Sequence, residues 1–167
     1  MVKAAKNIAP DRTPLYEHGI SESVMEQIMN RKFAGFYNGD KSDRREFFLH
    51  YNKFYKLMGY DTVTFERCIG PVMPGSGALG NHKPGIIKCR QDFEKYPWDE
   101  IPEMYFKAYA EDFELLGEMM PEGMKAIGGV GNGVFECVQD VVGYMDLCYI
   151  SADDPELYKI CLKRQEI

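Results

Sequence analysis

The sequence predicts an α/β fold with parallel strands, and three observations carry that prediction. First, an apolar stripe at helical spacing ends at Gly59 and passes straight into Tyr60-Asp61-Thr62-Val63-Thr64-Phe65-Glu66, rich in β-branched and aromatic residues. Second, a short apolar run from Met124 to Ile127 stops at a cluster of glycines, and a helical pattern begins directly after it. Third, the elements run strand, helix, strand, loop, helix, strand, helix, helix, the alternation that builds parallel sheets. Two architectures meet these observations: a doubly wound open sheet, and part of a (βα)8 barrel.

The chain has 167 residues, enough for one ordinary domain with a real core. Its apolar and charged fractions are those of a soluble globular protein rather than a disordered one. A net charge of −6, with both signs mixed along the chain, argues against a nucleic-acid partner, which would call for a basic face. No apolar run approaches the roughly 20 residues needed to cross a bilayer. The polar start, residues 1–12, lacks the apolar segment of a signal peptide, so a cytoplasmic location is expected. Cys68, Cys89, Cys137, Cys148 and Cys161 are odd in number and widely spaced, as expected for reduced thiols, some of them buried. His18, His50 and His82 are scattered too, and are read as surface or hydrogen-bonded histidines; no metal site is expected in this chain.

In order along the chain, residues 11–19 read as a short strand ending in polar groups. Ser21 is placed to cap a helix over 22–30, with Val24, Met25 and Ile28 as its apolar face. Residues 31–40 form a loop whose Phe33, Phe36 and Tyr37 pack beneath it. Asp43 is read as the cap of the next helix, with Glu46 reaching back to complete a capping box. Phe47, Phe48, Tyr51, Phe54, Tyr55 and Met58 form one continuous core stripe, and Gly59 stops the helix. The Gly- and Pro-rich stretch 68–89 is too long for an ordinary connector and suggests a functional lid or disorder. A helix then begins near Asp99 or Ile101, with Pro102 in its first turn and Tyr105, Ala108, Tyr109, Phe113, Leu116 and Met120 on its buried side. After the glycine cluster, Phe135, Val138, Val142 and Met145 share one helical face. A last helix starts at Asp154 and Pro155, with no stop signal before Ile167.

The candidate chemistry lies where strands end. Glycines at the end of the second apolar run let a ligand approach the main chain, and the start of the following helix favours a carboxylate or phosphate. A tight strand-to-helix turn explains the same residues. Glu66 and Arg67 close the strand before them, as functional groups or as a salt-bridged rim pair. A nucleotide site is disfavoured: Gly129-Val130-Gly131-Asn132-Gly133 displaces the third glycine of the dinucleotide fingerprint, and no phosphate-binding G-x-x-x-x-G-K-[ST] occurs.

Taken together, four stretches resemble the N-terminal part of the uroporphyrinogen decarboxylase superfamily, which includes the corrinoid-dependent methyltransferases. They are Asp11-Arg12-Thr13-Pro14-Leu15, Gly59-Tyr60-Asp61-Thr62-Val63, Asp92-Phe93-Glu94-Lys95-Tyr96-Pro97-Trp98 and the glycine stretch Ile127 to Glu136, which leads on to Asp153-Asp154-Pro155-Glu156-Leu157. The resemblance covers most of the chain. It implies a partial (βα)8 TIM barrel, the N-terminal three to four βα units with parallel strands, in one incomplete domain over 1–167. A whole barrel takes roughly 250 residues, so the chain is expected to be a fragment or to pair with a second half-barrel chain or a second copy of itself.

The resemblance also implies a site. Glu66 and His18 would be its catalytic groups, and Glu17, Arg67, Gly129, Gly131, Asn132 and Gly133 would bind substrate. The segment matching the decarboxylases' arginine-rich one is Tyr16-Glu17-His18-Gly19-Ile20-Ser21, which holds no arginine, and Glu17 would repel a polycarboxylate. The methyltransferase branch is therefore favoured, with a small molecule or a corrinoid protein as substrate. Its zinc ligands, a His-x-Cys pair and a distant Cys, belong to the later half of the barrel, so corrinoid and zinc are expected only in a complete enzyme. A decarboxylase of tetrapyrrole biosynthesis is the alternative enzyme, and an inactive truncated paralogue or assembly partner the non-enzymatic one.

Overall fold

The computed structural model describes residues 2–81 and 83–164. Two strands, β1 (Thr62–Cys68) and β2 (Lys125–Gly131), form one two-stranded sheet. Gly128 lies against Phe65 and Gly131 against Cys68, a constant offset, so the strands run parallel. The helices are α1 (Val2–Ala5), α2 (Glu22–Met29), α3 (Lys41–Leu57), α4 (Ala78–Asn81), α5 (Arg90–Lys95), α6 (Ile101–Glu118), α7 (Val134–Val142), α8 (Tyr144–Asp153) and α9 (Pro155–Arg164). The fold is mixed α/β and mostly helical. Among the described residues no helix is long and apolar enough to cross a membrane. The chain divides into two compact units: one runs up to Glu66 and includes Ala110–Gly129, the other comprises Arg67–Tyr109 and the chain from Val130 on.

In the first unit α3 supplies the core. Phe47, Phe48, Tyr51, Phe54 and Tyr55 are buried with Val63 and Phe65 of β1 and with Leu115 and Leu116 of α6. Phe48 meets Phe65 edge-on at 5.1 Å between centroids, and Phe65 meets Phe113 in the same way at 5.5 Å. Each such side chain contributes about 1.5–3 kcal/mol by leaving water. Met58, expected on the stripe, is instead exposed, because α3 ends before it and Gly59 turns the chain with φ of +78°.

Four local expectations for this unit change. The cap of α3 is Asp40: its carboxylate accepts from the N–H groups of Ser42 and Asp43, and Asp43 returns a bond to the Asp40 N–H. In α2, Val24 and Ile28 are exposed, while Met25 and Glu26 are buried. Ser21 holds the capping position but makes no side-chain cap bond. Glu26 goes inside because its carboxylate accepts from the Lys32 ammonium and from the N–H groups of Ala34 and Phe33, which together hold its pKa down to about 2. Residues 11–19 form no strand. They follow β1 through scattered bonds: Asp61 N–H donates to Leu15 O, Leu15 N–H to the Asp61 carboxylate, and the Thr64 hydroxyl to Glu17 O.

The second unit packs α7, α8 and α9 with α5 around Val138, Val141, Val142, Leu147, Leu157, Phe93 and Trp98. Phe135 and Met145, expected on the buried face of one helix, are exposed. Gly143 separates α7 from α8, so Met145 belongs to a new helix with its own phase. The segment 68–89 is not a free lid. Asp140 of α7 accepts from the N–H groups of Gly77 and Leu79, and Tyr96 donates to Pro74 O. Ile86 and Ile87 N–H both donate to Val141 O, satisfying an end carbonyl of α7. Met73, Ala78 and Ile87 from this segment are buried. The expected continuation of α9 to Ile167 lies outside the described residues beyond Arg164.

Candidate functional site

The predicted site residues fall in both units. Glu17, His18, Glu66 and Gly129 belong to the first, and Arg67, Gly131, Asn132 and Gly133 to the second.

In the first unit the structure brings His18 and Glu66 together. His18 Nε2 stands 3.6 Å from Glu66 Oε2, near the C-terminal end of β1. Its Nδ1 is 3.2 Å from the Tyr16 hydroxyl, and its backbone N–H donates to the Glu17 carboxylate at 3.0 Å. With the proton on Nε2, Tyr16 donates to Nδ1 and the ring turns a positive edge to Glu66; 3.6 Å is a charge contact rather than a hydrogen bond. The segment is fixed beneath by Thr64, whose hydroxyl donates to Glu17 O at 2.6 Å. The Thr64 carbonyl in turn accepts from Tyr51 at 2.7 Å, which ties this rim to the aromatic core. Chemically, Tyr16, His18 and Glu66 form an exposed relay of a phenol, an imidazole and a carboxylate, able to hold a proton or bind a cationic or hydroxyl-bearing group. Tyr16 was missed by sequence reasoning. It lies two residues from His18, the spacing that puts two side chains on one side of an extended segment.

In the second unit the glycine stretch forms a tight strand-to-helix turn. Asn132 takes a left-handed φ of +77°. The anion expected at the start of α7 is already there: the Glu136 carboxylate accepts from the Gly133 N–H at 2.7 Å. Gly131 passes so close to Cys68 that a Cβ there would come within 2.9 Å of its sulfur. Arg67 is half-buried, with its guanidinium carbon 6.0 Å from the Tyr109 ring centroid and its carbonyl accepting from Tyr105 at 3.1 Å. These observations favour the turn over a ligand cradle. Asp140, the anchor of the glycine- and proline-rich segment, had no signal linking it to Gly77 and Leu79, 63 and 61 residues away.

Among the described residues no three His, Cys, Asp or Glu side chains gather as a metal would need. Cys137 and Cys161 are buried, and burial pushes both thiols up to about 11, so they are poor ligands and nucleophiles. Cys68, Cys89 and Cys148 are exposed and all five are free. Of the histidines, His18 is exposed and bonded, His50 is buried with neither ring nitrogen hydrogen-bonded, and His82 lies outside the described residues. No protein-family model, curated protein or solved structure matches this chain.

Proposed function

We propose that the chain is the N-terminal part of a uroporphyrinogen decarboxylase-like barrel of the corrinoid-dependent methyltransferase branch. The observation that carries this reading is the His18–Glu66 pair at the C-terminal end of a parallel strand, 3.6 Å apart, where barrel enzymes place their reacting groups. In this reading His18 and Glu66 line one wall of the pocket and hold or pass a proton at the methyl acceptor, with Tyr16 fixing the imidazole. Glu17, beside them and exposed, disfavours a polycarboxylate substrate and with it the decarboxylase alternative. Metal binding and corrinoid binding would fall to the rest of the barrel.

The test is reconstitution with a chain that carries the missing metal ligands. Methyl transfer should appear on mixing, and Glu66→Gln or His18→Ala should lower its rate about 100-fold with unchanged affinity between the chains. Full activity in both variants would remove these residues from the reaction. Tight association without turnover would support the second reading, an assembly partner. That reading rests on the solvent exposure of residues 125–128 of β2, since parallel strands are ordinarily covered on both faces.

A further inference from the structure

On α3, Leu49, Lys53 and Lys56 recur at steps of four and three and so share one face. All three are exposed. Glu118, Met119, Met120 and Pro121, from the end of α6 and the turn after it, lie against that face, and the seven residues line a cleft of about 370 Å³ in the first unit. Leu49, Met119, Met120 and Pro121 give it an apolar surface, and two of the four are methionines, which repack readily around different shapes. The acid at its rim is already engaged, because Arg45 Nη1 holds the Glu118 carboxylate at 2.7 Å. Lys53 and Lys56 carry no ion pair among the described residues, so both ammonium groups are open to an acid brought by a partner. In a chain of net charge −6, two neighbouring unpaired ammonium groups beside an apolar cleft call for an anion with an apolar face.

We infer that this cleft docks an acidic amphipathic helix of a partner protein. Carboxylates three residues apart on such a helix match the spacing of Lys53 and Lys56, and its apolar stripe covers Leu49 and the two methionines. A lipid surface fits less well. Recognition of anionic membranes takes clusters of about 4–8 cations, and only two stand free here. The inference does not depend on the proposed barrel chemistry.

The test uses the whole chain and a fluorescein-labelled helical peptide with two glutamates three residues apart beside a leucine stripe. Fluorescence anisotropy should show saturable binding that weakens with added salt. Reversing both lysines, Lys53→Glu with Lys56→Glu, should weaken binding about tenfold or more. A peptide with glutamine for both glutamates should lose as much on the native chain and lose nothing further on the variant. Both lysines are exposed, so the variant should keep its helical circular dichroism and still unfold cooperatively, at a slightly lower midpoint because Lys56 stands in the last turn of α3. Absence of saturable binding, or equal binding of the glutamine peptide, would overturn the inference. So would tighter binding to phosphatidylserine vesicles than to the peptide, which would assign the cleft to a membrane instead.

Discussion

His50 is the side chain whose surroundings depart furthest from its chemistry. It is 6% exposed within α3, stacked at a tilt against Phe33, and neither ring nitrogen has a hydrogen-bond partner. Burial pushes its pKa below the ordinary 6.5, Arg31 and Lys53 push the same way, and Glu46, 3.6 Å from Nε2, opposes them. The folded chain thus holds His50 neutral, while the unfolded chain takes a proton near 6.5. Stability is full above that pH and falls as the pH drops through it, levelling only below the lower folded value. The midpoint of urea unfolding should fall between pH 7 and about pH 5, and His50→Leu should flatten that slope. An unchanged slope would place the acid sensitivity elsewhere. None of this was legible in the sequence. His50 was expected at the surface or in a hydrogen bond, and its burial against Phe33 of the loop before α3 has no local signal. The pairing of His18 with Glu66 was legible only as two polar groups at the ends of neighbouring segments.

At the scale of single elements, the buried α3 stripe, its stop at Gly59 and the strand after it follow directly from residue spacing. The helix start does not. Asp40 and Asp43 both have a suitable side chain three residues ahead, Asp43 for Asp40 and Glu46 for Asp43, so local sequence offers two capping boxes. The structure takes the first, with Ser42 and Asp43 N–H donating to Asp40 Oδ1, and in the same first turn Arg44 meets Glu111 and, at 3.1 Å, the buried Asp112 of α6. Tyr37 donates to the same Asp112 carboxylate at 2.5 Å. Asp40→Ala should cost about 1 kcal/mol in chemical denaturation, since two N–H groups lose their acceptor. Asp43→Ala, which gives up a single 3.3 Å bond to an exposed N–H, should cost clearly less. Equal losses would restore Asp43 as the cap.

For the molecule as a whole, the α/β class was readable from alternation, whereas the number of strands was not. Residues 11–19 have the composition of a strand, but they meet β1 through one backbone bond and several side-chain bonds, too few to count as a ladder. Among the described residues the sheet has two strands, and β2 leaves Ala126, Ile127, Gly128 and Val130 in solvent, with Lys125 its sole charge. Natural edge strands are protected by charges, prolines or bulges, and β2 has little of that protection. Self-association that grows with concentration is expected in sedimentation velocity, and Ile127→Lys should suppress it. A monomer at every concentration, unfolding in one cooperative step, would count against any need for a covering partner.

The glycine at position 85 bears on how this sequence can change over time. A Cβ there would sit 2.0 Å from the carbonyl carbon and oxygen of Val142, and Gly143 beside them has φ of +86° and lies against the Gly85 backbone. Neither position has a neighbouring substitution that could relieve the other, because the obstacle on each side is main chain. In a library of random variants selected for folding, both should stay glycine while exposed positions such as Gly80 and Lys83 drift, so the pair would serve as a lineage marker where overall similarity has faded.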